Sequence, residues 1–253
     1  MTFQLLWLTL LGLCVGSFIT VLIHRIPTSI VYSAPMNLIG PRSECPHCGN
    51  TIPWYDNIPL LSWCLLQGKC RHCKSGISPM YPLAELTTGI TFLVLGLRLP
   101  AGDLLAAAIF FSCVLITLAV IDMRHQLLPD ILTITLLWAG MLLSSACIIP
   151  TELQSSVAGA AIGYLLLRVI RDGFLTFRKK EALGLGDAKL LAAIGAWAGA
   201  ESIAEIVFWA SVCGISYLVI AKILSGRSFQ AAMPFGPCLA LAGSYSFFTR
   251  LVA

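Results

Sequence analysis

Eight apolar runs of membrane-crossing length, at about 3–23, 81–98, 104–121, 130–149, 155–171, 187–200, 203–223 and 232–252, leave this chain few ways to fold. Roughly 20 apolar residues in a helix match the hydrocarbon thickness of a bilayer. Inside lipid the backbone finds no water, so each run must satisfy its own N–H and C=O groups, which a helix does. Charge is correspondingly scarce: 11% of residues against about 25% in a soluble domain, with 58% hydrophobic. The sequence therefore predicts an all-α polytopic membrane protein with about eight transmembrane helices, the fifth and sixth being short or interrupted. The first run has no basic residues before it and no small-residue cleavage site after it, so it is expected to stay as a span and not to be removed as a signal peptide.

One sizeable polar insert, residues 24–80, separates the first run from the second. The expected organisation is a first transmembrane helix (1–23), a small cytoplasmic four-cysteine domain (24–80) and a seven-helix membrane domain (81–253). A second polar stretch near 172–186 carries Arg178, Lys179 and Lys180, and no internal repeat or low-complexity tract is evident. With both termini outside, every Lys and Arg except Arg98 and Arg250 falls on the cytoplasmic side, 14 of the 16. That bias is the positive-inside rule at work, and it fixes one orientation. The net charge of +4 follows from it, and no stretch alternates basic and aromatic residues as a nucleic-acid groove would, so no nucleic-acid partner is expected.

The insert holds four of the ten cysteines, as Cys45-Pro46-His47-Cys48 and Cys70-Arg71-His72-Cys73. Two such knuckles bring four thiolates into tetrahedral reach of one ion, the pattern of a closed structural zinc site. Two disulfides are the alternative, but an insert on the cytoplasmic side keeps its thiols reduced. His47 and His72 lie within the knuckles and are competing donors, though four thiolates suffice. A zinc ion would fold an insert too small for a core of its own. The other six cysteines sit mostly in apolar runs, where Cys packs as a small hydrophobe.

Two carboxylates remain to be explained. The third run, read from outside to inside, ends at Asp122; the sixth, read the other way, begins near Asp187 within Gly184-Leu185-Gly186-Asp187-Ala188-Lys189. Both are thus expected at the cytoplasmic edge of the membrane, where an ionisable residue is costly and needs a reason. Two neighbouring carboxylates resist ionising together, so one stays protonated as acid while the other takes a proton from water. That is the chemistry of a peptidase. Gly184 and Gly186 allow a sharp turn and close approach of a substrate strand. Asp187 also suits a helix cap, and Asp130 after Pro129 suits that role better. Asp122, at the unfavourable end of a helix dipole, is harder to explain as structure. A proton-relaying transporter would place acidic residues deeper in the spans, and a non-catalytic assembly protein would leave both aspartates without a task.

Further motifs carry a resemblance. They are Gly16-Ser17-Phe18 with His24-Arg25-Ile26-Pro27; Arg42 to Cys48, Asn57-Ile58-Pro59, Leu61-Ser62-Trp63, Gly68-Lys69-Cys70 and Tyr81 to Leu86; Ile121-Asp122 with Leu128-Pro129-Asp130; the run 184–189; and Pro234-Phe235-Gly236-Pro237. In this order and over nearly the whole chain they resemble the bacterial type IV prepilin peptidases. The resemblance implies a multi-pass inner-membrane aspartic peptidase with both termini periplasmic and its site at the cytoplasmic face. Asp122 and Asp187 would be catalytic, supported by Gly184, Gly186 and Lys189. The implied substrates are prepilins or type II secretion pseudopilins held among membrane lipids. Such an enzyme cuts after the glycine ending a basic leader, then methylates the new amine, usually of Phe, with S-adenosylmethionine. The intact insert, with Cys45, Cys48, Cys70 and Cys73 as zinc ligands, implies the bifunctional branch. Gly68, Lys69 and Glu85 are the nearest residues for methyl transfer, a tight turn and a solvated charge being the plainer roles of the first two. Thr20 departs from the Asn usual in the first-span motif, and Arg124 stands where a second acidic residue is common.

Overall fold

The computed structural model describes residues 2–31, 40, 42–179, 184–225 and 233–252; Lys180 and Arg227, counted above among the cytoplasmic cations, lie outside them. Each apolar run has become one long helix. They are α1 (Thr2–Val31), α3 (Met80–Arg98), α4 (Asp103–His125), α5 (Asp130–Ser145), α6 (Leu153–Arg178), α7 (Leu185–Ala198), α8 (Ile203–Ser225) and α9 (Gly236–Val252), with a short α2 (Leu61–Leu65) and a 3-10 turn (Trp54–Asn57) in the insert. Five of these, α1, α3, α4, α6 and α8, are long and apolar enough to cross a membrane, while α5, α7 and α9 are shorter. Among the described residues there is no strand, only two isolated bridges, Glu44 with Thr51 and Lys69 with Gly76.

The chain forms two compact units, residues 1–117 and 118–253, divided within α4. In the first, α1 and α3 are antiparallel: Leu8 meets Gly96, Leu13 meets Gly89, and Gly16 meets the Glu85 backbone. A Cβ on Gly16 would lie 2.7 Å from Glu85 Cα, so this crossing needs glycine. Helix α1 also runs past Pro27 to Val31, eight residues beyond the expected end of the span at 23. The turn around Pro27 recruits side chains, with the Thr28 hydroxyl donating to the His24 carbonyl (3.0 Å) and Ser29 to Ile26 (2.8 Å).

The insert corrects the expectation of no repeat. Ser43–Ile52 and Gly68–Ile77 are two copies of one turn, 25 positions apart. Cys45 N–H donates to the Asn50 carbonyl (3.0 Å) as Cys70 does to Ser75 (2.8 Å), and Ile52 donates to Ser43 (2.7 Å) as Ile77 does to Gly68 (2.6 Å). Gly49 and Lys74 occupy the same left-handed position, φ 69° and 58°. Because φ > 0 is costly for Lys and free for Gly, the two copies share geometry more than side chains.

The second unit is built around α7, in which every residue from Asp187 to Ala198 except Lys189 is buried. A helix that is apolar all round belongs in a core. It packs antiparallel on α6, where a Cβ on Gly159 or Gly195 would meet the other's carbonyl oxygen at 2.4 Å, so the two backbones touch directly. Against α5 it runs parallel, with Leu128 on Gly186 at one end and Trp197 Nε1–H donating to the Leu136 carbonyl (2.8 Å) further along.

Candidate active site

Asp122 sits in the last turn of α4, which closes with Gln126 N–H on the Asp122 carbonyl (2.9 Å) and Gln126 in the left-handed region, φ 51°. Asp187 sits in the first turn of α7. The second unit thus holds both carboxylates, 65 positions apart in sequence, at the end of one helix and the start of another. Both are buried, 6% and 8% exposed, in a region where an ionised carboxylate is poorly solvated.

Each carboxylate has one oxygen held by a backbone N–H. Asp122 Oδ2 accepts from Gly236 (2.8 Å), and Asp187 Oδ2 accepts from Gly184 (3.2 Å). Among the described residues Oδ1 of each has no partner, which leaves two oxygens for a proton and a water. Asp187 thus accepts the N–H that opens its own helix through one oxygen, and its other oxygen has no partner among the described residues. Asp130 does not cap with its side chain; both its oxygens receive Lys189 Nζ, at 2.6 and 2.7 Å. Lys189 thus ties the start of α7 to the start of α5 and is paired with Asp130, not with Asp122 or Asp187. Arg124, two residues on from buried Asp122, is exposed and faces another side of the helix.

Gly236 is the residue that reading the sequence missed. Its motif, Pro234-Phe235-Gly236-Pro237, is visible in the sequence, but nothing there says that it reaches an aspartate 114 positions away. A Cβ on Gly236 would lie 2.8 Å from Asp122 Oδ2 and 3.1 Å from Cγ, so the N–H can be delivered here only by glycine.

In the first unit the Sγ atoms of Cys45, Cys48, Cys70 and Cys73 lie within 4.8 Å of one another. Cys45 and Cys73 sulfurs are 3.7 Å apart, far beyond an S–S bond, and all ten cysteines are free. A tetrahedral ion with bonds of about 2.3 Å needs sulfurs about 3.8 Å apart, so the donor set and the spacing both fit zinc. Without an ion the thiols act on one another: the N–H groups of His47 and Cys48 hold the Cys45 thiol down, while burial and the neighbouring Cys45 and Cys73 push the Cys48 thiol up.

The three residues named for methyl transfer differ in setting. Gly68 has φ 67°, and a Cβ there would meet the Trp63 ring at 2.9 Å, so turn geometry and packing account for it. Lys69 is exposed and pairs through its backbone with Gly76. Glu85 is buried, 8% exposed; its Oε2 accepts the Leu60 N–H (2.8 Å), and Ser17 is its second hydrogen-bond partner. The Gly16-Ser17 motif on α1 is thereby explained as the floor beneath Glu85.

Residues 10–99 match the bacterial peptidase A24 N-terminal domain, and residues 109–219 match the type IV leader peptidase family. The first takes in all four insert cysteines, the second both aspartates. The chain is 40% identical over 244 residues to a type 4 prepilin-like proteins leader peptide-processing enzyme of Escherichia coli O78:H11, covering 92% of this chain and 89% of that one. It is 39% identical to a prepilin leader peptidase/N-methyltransferase of Dickeya chrysanthemi (96% and 93% covered) and 44% identical to one of Klebsiella pneumoniae (83% and 92%). No solved structure matches at comparable stringency. Matches that take in the cysteine cluster and the aspartate pair, with such identity over most of each relative's length, mean that this chain belongs to the type IV leader peptidase family.

Proposed function

We propose that this chain is a multi-pass membrane enzyme that removes the basic leader from type IV prepilins or pseudopilins by means of Asp122 and Asp187, and N-methylates the amine it exposes. The observation that carries the peptidase half is the buried pair, each carboxylate having one oxygen without a partner among the described residues. One carboxylate, ionised, takes a proton from water as the water oxygen attacks the scissile carbonyl. The other, protonated, donates to that carbonyl oxygen, and a proton then passes to the leaving amine as the C–N bond breaks. The dyad titrates as a unit, so neither residue is assigned one role. Gly236 and Gly184 orient the two carboxylates, and Gly186 with Lys189 seats the first turn of α7.

All eight long helices are taken as spans, α5, α7 and α9 included. The directions inside each unit agree with alternating spans: α1 against α3 and α6 against α7 antiparallel, α5 with α7 parallel. With the cation distribution this supports an inner-membrane protein with both termini periplasmic and the aspartates at the cytoplasmic face. Zinc on the four cysteines is structural, because four thiolates leave no position open for substrate. S-adenosylmethionine supplies the methyl group as a sulfonium cation, and a buried carboxylate is the chemistry that suits a cation. Of Gly68, Lys69 and Glu85, Glu85 alone is a buried carboxylate; Gly68 and Lys69 shape and charge the adjoining turn.

Intact-mass spectrometry of a prepilin-like substrate with solubilised enzyme and S-adenosylmethionine tests both halves: loss of the leader plus one methyl is the expected product, and an uncleaved substrate refutes the reading. Two variants separate the halves further. Gly236→Ala presses on Asp122 and removes its donor, so cleavage is expected to fall by about 10- to 100-fold, the worth of a hydrogen bond to a charged group. Methylation of a peptide supplied already cleaved should continue. Glu85→Gln still accepts the Leu60 N–H but carries no charge, so methylation is expected to fall at least about 10-fold, one lost charge-assisted contact, with cleavage kept. Equal loss of both activities would show that Glu85 only supports the fold.

A further inference from the structure

The insert turns apolar side chains outward. Trp54 and Tyr55 on the 3-10 turn, Ile58 after it, and Leu61 and Leu65 on α2 are all exposed, Trp54 by 76% and Leu65 by 81%. Of the polar side chains here Asn57 and Gln67 are exposed, but the one carboxylate and the Ser62 hydroxyl are turned inward and paired. Asp56, the only charged residue between 54 and 68, has a buried carboxylate paired with Arg71 (Nε to Oδ2, 2.7 Å). The guanidinium beside it holds that carboxyl below the usual range and also lies 5.5 Å from the centre of the Tyr55 ring. Ser62 is buried, its hydroxyl given to the Tyr55 carbonyl (2.9 Å), which ties α2 to the 3-10 turn. A surface facing only water would not leave five large apolar side chains exposed while its one carboxylate is covered, and large exposed apolar groups mark a surface that meets something.

Position says what covers it. The Leu60 N–H is fixed to Glu85 in the second turn of α3, so Leu61 begins next to that turn. On the same helix Leu83, Leu86 and Ile90 are exposed, and α3 is one of the helices able to cross a membrane. The apolar face of residues 54–65 is therefore continuous in level with the lipid-facing start of a span, where Trp and Tyr side chains favour the headgroup boundary. We propose that residues 54–65 lie in the membrane interface, with Trp54, Leu61 and Leu65 among headgroups and upper acyl chains, anchoring the four-cysteine insert flat on the bilayer. Lipid fits this surface better than a partner helix does. Helix α2 offers one pair at i and i+4, too short for the ladder of anchors a docked helix reads, whereas fluid chains need only exposed apolar side chains.

The test uses the full zinc-loaded chain in lipid nanodiscs, with p-benzoylphenylalanine in place of Trp54, of Leu65 or, as a control on an exposed knuckle position, of Glu44. After irradiation, lipid adducts at 54 and 65 several-fold above those at 44, unchanged by excess prepilin-like peptide, are expected. Adducts no more frequent than at 44, or adducts to the added peptide or to a second copy of the chain in place of lipid, overturn the proposal. A reading that needs no substitution is labelling of the native chain by a lipid with a diazirine high in its acyl chain. Labelled peptides covering 54–65 are expected; labelling confined to the long helices overturns it.

Discussion

Asp122→Asn and Asp187→Asn are each expected to stop leader removal, lowering kcat by about 10⁴-fold or more, as loss of one member of a catalytic unit does. The size of the effect follows from how little else the site offers. Both carboxylates are buried, each has one oxygen spent on a backbone N–H, and the remaining oxygens are what can move protons. Asn is nearly isosteric with Asp, and its oxygen still accepts the Gly236 or Gly184 N–H, so the local fold is kept. An amide neither takes a proton from water nor gives one to a leaving amine near neutral pH. Because the pair acts as a unit, the double variant is expected to be no worse than either single one. Single-turnover cleavage measures the loss, and methylation of a pre-cleaved peptide in the same samples reports that the enzyme is folded. A variant that cleaves within tenfold of the parent would remove that aspartate from the mechanism.

Removing the metal is expected to unfold the insert. Of residues 42–79 only Cys45, Ser62 and Gly68 are buried, so no hydrophobic core holds the two knuckles together. A structural zinc site contributes about 10–16 kcal/mol at neutral pH, more than an insert of this size could supply otherwise. Chelation, or Cys48→Ser with Cys73→Ser, should therefore release one zinc per chain and open residues 42–79 to proteolysis. Methyl transfer is expected to go with it, since Glu85 is bound to the insert through Leu60. Cleavage should suffer far less, because the aspartates and the glycines that hold them all lie in residues 118–253. Metal analysis, limited proteolysis and the intact-mass assay read the three outcomes together. An insert that stays protease-resistant without metal would leave the cysteines with some other task.

The chain's own periodicity determined much of this. An apolar run that must satisfy its own backbone becomes a helix, so the order of the helices was legible, while five of the eight are long and apolar enough to cross a membrane. The two residues within each Cys-x-x-Cys are neighbours by covalent geometry, so a clustering of the four cysteines was legible too, as was the place of Asp187 at the opening of α7. The ten-residue repeat around the cysteines shows in the sequence only as Cys, His, Cys and Ile at matching offsets, and its extent is set by the backbone hydrogen bonds of the fold. The helix that holds the first span continues past residue 23 and through Pro27, where side-chain hydroxyls accompany the turn. Only the tertiary structure decided that Gly236 reaches Asp122, that Lys189 pairs with Asp130, and that Glu85 receives the Leu60 N–H. Each of these contacts depends on how a helix is rotated about its axis and which neighbour it crosses. Hydropathy is blind to that in a membrane protein, since lipid and protein interior ask for the same apolar side chains, and the small and polar residues that break the tie find their partners only once the helices have packed.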